Sequence, residues 1–103
     1  MSKFENVSVS KKANVYFDGK CVSYSLVMPD GASVSVGVIQ PASLTFTTSA
    51  PEIMELVAGK ANVTLAGETE AVTYHAGESF KVPGDSAFDI EVVDTMHYVC
   101  YYG

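Results

Sequence analysis

Short β-rich segments separated by turn residues run through most of this chain, and this pattern most constrains its fold. Valine, isoleucine, threonine and aromatic residues dominate nine segments, several of which alternate with a period of two. These segments span 22–28, 34–39, 43–48, 53–58, 61–65, 71–75, 79–82, 87–93 and 96–102. Turn signals such as Pro29-Asp30-Gly31 and Pro83-Gly84-Asp85 lie between them, and no window of useful length has a helical repeat. Because a small all-β chain must close or double its sheets to protect strand edges, we expect an all-β sandwich or barrel.

Size and charge limit the function classes. The chain has 103 residues, 48% of them hydrophobic and 17% charged, which predicts one globular domain. We expect residues 1–12 to form a loose arm or an extra edge strand and residues 13–103 to form the domain. The net charge is −6, with six lysines and no arginine. This balance argues against a nucleic-acid partner, because binding a polyanion needs a basic face.

The cysteines and the amino terminus bear on location. Cys21 and Cys100 have no metal-binding spacing, and two thiols do not make a disulfide framework, so we expect both to be reduced and buried. The segment Met1 to Lys12 is polar and lacks a continuous apolar run. We therefore expect no signal peptide, no membrane partner and a cytoplasmic location.

Glu52 and Gly59, seven residues apart, follow two threonines one residue apart, Thr45 and Thr47. A typical cupin first motif has a glycine, two histidines one residue apart, a glutamate a few residues on, and a glycine seven residues after that. Glu52 and Gly59 keep this spacing, whereas Thr45 and Thr47 stand where the histidines are expected. The chain therefore resembles a single-domain cupin, an RmlC-like jelly-roll β-barrel, and we expect that fold.

The metal ligands of the cupin motifs are missing. Phe88, five residues after Pro83, stands where the second motif has its histidine. Non-haem iron and related sites need several converging imidazole or carboxylate ligands. Glu52 is alone in the motif, so we expect no metal and no other cofactor. The same absence argues against the metal-dependent dioxygenases and isomerases of the superfamily.

Five longer segments resemble one family of short cupins. They are Asn14-Val-Tyr-Phe-Asp-Gly-Lys20, Ser35-Val-Gly-Val38, Tyr74-x-Ala-Gly77, Phe80-x-Val-Pro-Gly84 and Tyr98-x-Cys-x-Tyr102. They resemble the pyrimidine/purine nucleoside phosphorylases, and the similarity covers residues 13–103. The resemblance implies a pentosyltransferase of broad specificity that acts in nucleoside salvage. In that reaction inorganic phosphate, a co-substrate, displaces a purine or pyrimidine base from a nucleoside to give ribose 1-phosphate.

The cupin analogy and strand alternation together predict the site residues. By analogy Thr45, Thr47, Glu52 and Phe88 face the cavity. On the last predicted strand Tyr98, Cys100 and Tyr102 share one face, which we take as the inner one. Such a cavity has an apolar floor and a mouth of hydroxyls plus one carboxylate, which suits a ribose and a flat base. We expect Glu52 and Thr47 to be catalytic, and Thr45, Phe88, Tyr98, Tyr102 and Lys20 to bind substrate.

Each of these residues also has a purely structural interpretation. The threonines fit as β-branched strand residues, Glu52 as a solvated residue at a strand start, and Phe88 as core. Tyr98 and Tyr102 fit equally well as hydrogen-bonded wall residues. These alternatives remain open on the sequence.

Phosphate must be bound without arginine and without a glycine-rich loop that opens a helix. Lys20 is the one lysine within a family-like segment, and we expect it to act as a point charge; a solvated lysine after a turn is the alternative. Related sequences tend to carry an arginine where this chain has Tyr101. His75 and His97 lie outside the motif positions, and we do not expect either to act as a base.

Two function classes remain. The first is a metal-free nucleoside phosphorylase whose partners are nucleosides and phosphate. The second is a non-catalytic cupin that binds a small sugar or nucleobase-like ligand. In either case we expect a two-fold homodimer, to which the segment from Val15 to Phe17 contributes.

Overall fold

The computed structural model describes residues 3–103, and their regular structure is almost entirely β-strand. The strands are β1 (Ser8–Val9), β2 (Asn14–Tyr16), β3 (Cys21–Val27), β4 (Ser33–Ile39), β5 (Ala42–Thr47), β6 (Glu52–Leu65), β7 (Val72–His75), β8 (Ser79–Val82) and β9 (Ala87–Tyr102). A 3-10 turn, Phe17–Gly19, lies between β2 and β3. The predicted all-β class is confirmed. Met1 and Ser2, part of the predicted arm, lie outside the described residues.

The strands form one antiparallel sheet that folds over into two layers. Its hydrogen-bonded order is β1-β3-β4-β9-β6-β7, with β2 on β3, β5 on β9 and β8 on β6. Within residues 3–103 no backbone hydrogen bonds join β7, the last strand of this order, to β1, the first. The predicted jelly roll is therefore confirmed, but as an open two-layered sandwich rather than a closed hydrogen-bonded barrel. No helix in the same residues is long and apolar enough to cross a membrane.

Two long strands connect the layers. β6 and β9 have 14 and 16 residues and pair along nearly their whole length. The sequence predicted two segments for each, because Gly59 and the polar residues near Thr95 interrupt the alternation. Register shifts between Leu56 and Ala61 bend the pair without ending it. Gly59 has a φ of +95°, and a Cβ there would collide with the carbonyl oxygen of Thr95, so the bend requires glycine.

Alternation along these strands decides which side chains form the core. On β9 Phe88, Ile90 and Val92 are buried, while Asp89 and Glu91 are exposed. The core between the layers consists of Cys21, Ile39, Met54, Leu56, Ala61, Val63, Phe80, Val82, Phe88, Ile90, Val92, Met96, Tyr98 and Cys100. Both cysteines are free and buried, as predicted.

The amino-terminal segment adds two short strands to the sheet. β1 and β2 both pair antiparallel with β3. The connection from β2 to β3 places Phe17 and Asp18 at φ angles of 53° and 54°, a left-handed conformation that is uncommon for phenylalanine. The sequence analysis did not predict β2, because three residues carry too little alternation to be recognised. The division of the chain at residue 12 stays a prediction.

Candidate active site

A carboxylate, a thiol and a phenol lie side by side on the inner face of the sheet. Glu52 is the first residue of β6, directly after Pro51, and is the strand partner of Tyr102 on β9. The Cys100 thiol donates a hydrogen bond to Glu52, with 3.5 Å between Sγ and Oε1. The hydroxyls of Tyr102 and Ser35 are 3.0 Å apart. Strand pairing thus brings together polar groups from β4, β6 and β9.

Burial sets the protonation of this group. Burial raises the pKa of the Glu52 carboxyl, and the hydrogen bond from Cys100 opposes part of that rise. Burial and then the negative charge of Glu52 raise the pKa of Cys100 to about 12. Burial likewise raises the pKa of Tyr102 to about 12. At neutral pH the thiol and the phenol are therefore protonated and act as neutral hydrogen-bond donors beside a carboxyl group.

Tyr98 lies deeper on the same face, and its hydroxyl is directed toward β3. The hydroxyl is 3.5 Å from Cys21 Sγ. The ring packs over Gly37, its cross-strand partner on β4, where an added Cβ would lie 2.8 Å from the hydroxyl oxygen. Burial is the main cause that raises the pKa of this phenol, so Tyr98 stays neutral. In this position Tyr98 forms part of the wall of the site.

A stack of aromatic rings runs from the core to the surface. Phe88 is buried and lies parallel to Phe46, with ring centroids 5.5 Å apart, and it meets Phe80 edge-on at 5.6 Å. Phe17 meets Phe46 edge-on at 5.1 Å and is 41% exposed. Phe88 therefore faces inward, as predicted, and is also part of the core. Phe46 and Phe17, which the sequence analysis did not select, carry the stack outward.

The expectation that Thr45 and Thr47 face the interior is wrong. Both are exposed, and Thr45 Oγ1 donates a 2.7 Å hydrogen bond to Asp89 Oδ1 on the outer face. Leu44 and Phe46 pack against the core instead. The motif spacing placed the threonines where a cupin has its metal ligands. Side chains alternate along a strand, so either the threonines or their neighbours Leu44 and Phe46 can face inward, but not both. The apolar set does so because it buries more apolar surface.

Lys20 does not approach Glu52. Lys20 is exposed and lies directly before β3, whereas Ser25 lies toward the other end of that strand. Ser25 pairs with Ser35, whose hydroxyl contacts Tyr102, the strand partner of Glu52. Five residues of strand separate Lys20 from Ser25, which corresponds to about 16 Å. The position of Lys20 therefore does not support the predicted contact to a phosphate beside Glu52.

Position 101 and the two histidines also lie away from the inner face. The Tyr101 hydroxyl donates a 3.0 Å hydrogen bond to Glu55 Oε1 on the outer face of β6. An arginine at position 101 would therefore lie on the outer face. Its absence does not remove a phosphate-binding group from beside Glu52. His75 and His97 are both exposed, and that neither acts as a base stays a prediction.

A row of small polar side chains continues from Ser35 across β3 to β2. Asn14 Nδ2 donates hydrogen bonds to Ser25 Oγ at 3.0 Å and to Ser23 Oγ at 3.3 Å. Ser23 and Ser35 are each 3% exposed. The sequence analysis did not identify these residues. Their spacing of two places Ser23 and Ser25 on one face, but serine carries no hydrophobic signal that shows which face is inside.

Thr48 connects two loops next to Glu52. Its Oγ1 donates a 2.6 Å hydrogen bond to the Pro83 carbonyl oxygen and accepts one of 3.0 Å from the Ser86 amide. A Cβ on Gly84 would lie 2.9 Å from a carbonyl oxygen of the loop that contains Thr48. The Pro-Gly turn of the family-like segment is thus held tightly against the start of β6.

The comparisons with known proteins agree with this fold. A sequence model of the family described as pyrimidine/purine nucleoside phosphorylase matches residues 11–102. This chain belongs to that family. Relatives with the same description include one from Nocardia farcinica, 67% identical, and one from Laribacter hongkongensis, 61% identical, each over 103 residues and covering all of both chains.

Solved structures resemble this nucleoside phosphorylase family member closely. A protein of unknown function from Acinetobacter sp. ADP1 is 44% identical, with a TM-score of 0.96 and 98% of each chain covered. The Clostridium difficile EutQ protein is 16% identical and has a TM-score of 0.65, covering 81% of this chain and 63% of that chain. The second likeness concerns the fold alone.

The described residues offer no cluster of metal ligands. Across residues 3–103 no group of three or more histidine, cysteine, aspartate or glutamate side chains is placed to hold a metal ion. Glu52 hydrogen bonds to the Cys100 thiol. That this family member works without a metal stays a prediction.

A depression of about 860 Å³ lies on the opposite, outer face of the same sheet. Valines and tyrosines form most of its lining, including Val22, Tyr24, Val36, Val38, Val57, Val99 and Tyr101. Its carboxylate, Glu55, is already bonded to Tyr101. The Glu52 carboxyl group, the protonated donors and the aromatic stack lie on the inner face, which is therefore the candidate site, and its role in catalysis stays a prediction.

Proposed function

We propose that this protein is a pyrimidine/purine nucleoside phosphorylase of broad specificity that acts in nucleoside salvage. A phosphate oxygen forms a bond to C1′ of the ribose while the bond from C1′ to the base nitrogen breaks. The electron pair of that bond leaves with the base, which takes up a proton, and the products are ribose 1-phosphate and free base. The match to the family over residues 11–102, with relatives up to 67% identical over the whole chain, carries this proposal.

Glu52 is the proposed catalytic group. Phosphorolysis passes through a sugar with cation-like character, which a fixed negative charge stabilises most strongly when water screens it least. Glu52 is half-buried and held by the Cys100 thiol. Its second carboxylate oxygen can accept a hydrogen bond from a ribose hydroxyl, so the same residue positions the sugar.

The aromatic stack and the tyrosines form the rest of the proposed site. Phe80 pairs with Met54, two residues from Glu52, and Phe88 meets Phe80 edge-on. Phe46 and Phe17 carry the stack toward Lys20, away from Glu52. Broad specificity is consistent with contacts to the flat face of a base, because such contacts do not distinguish one base edge from another. Tyr102 is 46% exposed at the mouth and can donate to the substrate, while Tyr98 forms the wall. Thr45, Thr47 and Lys20 have no part in this proposal.

The test is base release from adenosine, guanosine, inosine, uridine, cytidine and thymidine, with and without phosphate, after chelator treatment. The expected result is phosphate-dependent release that survives the chelator and produces an equal amount of ribose 1-phosphate, or of 2-deoxyribose 1-phosphate from thymidine. Release that needs no phosphate would indicate a hydrolase. No release from any nucleoside would favour the non-catalytic cupin that binds a sugar or nucleobase-like ligand.

We also propose a two-fold homodimer in the cytoplasm. Val15, Tyr16 and Phe17 are exposed at the edge of the sheet, and the valine-rich outer depression is open to solvent. Val15 pairs with Val22, which lines the depression, so Val15 extends that apolar surface. An extended apolar surface is uncommon on a monomer and is typical of an interface. Lys3 and Glu55 both line the depression, so a second copy turned by a two-fold axis can pair opposite charges. Sedimentation should give the mass of two chains, and cell fractionation should place the protein in the cytoplasm.

A further inference from the structure

We propose that Thr48 is a positioning residue for the Glu52 carboxylate. Together with the backbone amide of Gly103, it fixes the loop of residues 49–51, which leads directly into Glu52. This inference rests on the proposed function, in which Glu52 is the catalytic group, and adds a residue that acts through it.

The loop before Glu52 buries no side chain that could hold it in place. Ser49, Ala50 and Pro51 are all exposed, whereas Thr48 is only 8% exposed. An exposed loop that buries no apolar side chain gains little stability from the hydrophobic effect. Its position therefore depends on the hydrogen bonds at its two ends.

At its start the loop is joined to the turn between β8 and β9. The Thr48 hydroxyl bridges the Pro83 carbonyl oxygen and the Ser86 amide, at 2.6 and 3.0 Å. The Thr48 amide donates a 2.9 Å hydrogen bond to the Ser86 carbonyl oxygen, and the Asp85 amide donates one of 3.1 Å to the Ser49 carbonyl oxygen. Because the hydroxyl both donates and accepts, its removal leaves two backbone groups of the turn without a partner.

At its end the loop is held by Gly103 and by a proline ring. The Gly103 amide donates a 2.9 Å hydrogen bond to the Pro51 carbonyl oxygen. The ring fixes the backbone angle φ of Pro51, and a Cβ added on Gly84 would lie 3.2 Å from its Cδ. A loop with fewer free backbone rotations and a close neighbour absorbs less movement, so a shift at Thr48 displaces Glu52.

The position of the Glu52 carboxylate depends on this loop because β6 begins at Glu52. Its Oε1 atom accepts the hydrogen bond from the Cys100 thiol, at 3.5 Å from Sγ. A thiol is a weak donor, so this bond orients the carboxylate but does not hold the backbone. A displacement of about 1 Å from the productive geometry can lower a rate about a hundredfold. Thr48 and Gly103 therefore determine where the carboxylate lies relative to the ribose.

The test is Thr48→Val, with Thr48→Ser as the conservative variant and Thr73→Val as the matched control. Valine lacks the hydroxyl and serine keeps it. Thr73 Oγ1 donates a hydrogen bond to Asn62 on the outer face, so Thr73→Val removes a bond of the same 2.6 Å length away from Glu52. We expect Thr48→Val to lower kcat about tenfold to a hundredfold and to change the KM for nucleoside much less, because the carboxylate acts mainly on the transition state. Thr48→Ser and Thr73→Val should keep kcat close to that of the wild type.

The pH profile of kcat/KM distinguishes positioning from a general loss of stability. Burial is the main cause that raises the pKa of the Glu52 carboxyl. When Thr48→Val lets this carboxyl move into solvent, its pKa falls toward the usual value, so the acidic limb should move to lower pH. Cys100→Ala should move the same limb to higher pH, because it removes only the hydrogen bond. An acidic limb that Thr48→Val leaves in place, or an equal loss of kcat in Thr48→Ser or Thr73→Val, would overturn the proposal.

A second pair of variants keeps the proposal testable if Thr48→Val does not fold. Gly103→Pro removes the amide hydrogen that Pro51 accepts, and a Cβ at position 103 has no other atom within 4 Å. Gly103→Asn is its control, because asparagine keeps the amide and tolerates the φ of +90° at this position. Gly103→Pro should lower kcat and move the acidic limb to lower pH, whereas Gly103→Asn should do neither. If Gly103→Pro behaves like the wild type, the proposal is wrong.

NMR titration of the Glu52 side-chain carboxyl carbon separates this inference from the proposed function. If the wild-type protein releases no base, phosphorolysis itself fails, but the titration can still be measured. A lower pKa of Glu52 in Thr48→Val and Gly103→Pro, but not in Thr73→Val, supports the positioning role. The same pKa in the wild type and all three variants overturns it.

Discussion

Replacing Gly37 with alanine should destabilise the protein and displace Tyr98. The added Cβ would lie 2.7 Å from the Val22 carbonyl oxygen, 2.8 Å from the Tyr98 hydroxyl oxygen and 2.9 Å from Ser23 Cβ. Favourable contacts between such atoms need about 3.5–4.0 Å, so each neighbour must move by roughly 1 Å. Val22 and Ser23 belong to β3, which pairs with β4 along its whole length, and therefore cannot move independently.

The expected magnitude follows from overpacking. Adding a methyl group to a filled interior costs about 1–3 kcal/mol. Alanine recovers about 0.5–1 kcal/mol because it restricts the unfolded chain more than glycine does. The midpoints of these two ranges leave a net loss of about 1 kcal/mol in the free energy of unfolding, which lowers the Tm of a domain of this size by about 4–8 °C.

Urea unfolding of single and double variants is the assay. Tyr98→Phe removes one of the three close atoms, so Gly37→Ala should cost less in that background than in the wild type. The steric argument would be refuted if Gly37→Ala left the stability unchanged. It would also be refuted if Gly37→Ala cost the same free energy of unfolding in the wild type and in the Tyr98→Phe background.

Four further outcomes follow from the site. Glu52→Gln should lower kcat about a hundredfold or more, whereas Glu55→Gln on the outer face of the same strand should not; equal losses would contradict the assignment of Glu52. Cys100→Ala removes the hydrogen bond that lowers the pKa of Glu52, so the acidic limb of the pH profile of kcat/KM should move to higher pH. Cys100→Ser should move it back, and a limb that does not respond would separate the thiol from catalysis. Thr48→Val leaves the Pro83 carbonyl and the Ser86 amide without their shared partner and should cost about 1–3 kcal/mol in thermal unfolding; an unchanged Tm would show that the loops do not depend on this hydroxyl. Elemental analysis of tag-free protein should find iron, manganese and zinc well below one atom per chain, and one metal per chain would count against a metal-free site.

The sequence by itself determined the class of fold and the family. Alternating β-branched and aromatic residues, interrupted by glycine and proline, were sufficient for seven of the nine strands, although β6 and β9 were each predicted as two segments. The segments around Ser35, Phe80 and Tyr98 were sufficient to indicate the family. Local patterns of this kind are recognisable because they depend only on neighbours along the chain.

Only the tertiary structure decided which residues meet at the site. Thr45 and Thr47 stand at motif positions, yet Leu44 and Phe46 take the inner face because burying them removes more apolar surface from water. The contact between Glu52 and Cys100 depends on the register of β6 with β9. Register between distant strands is set by packing of the whole core, so no local pattern in the sequence could specify it.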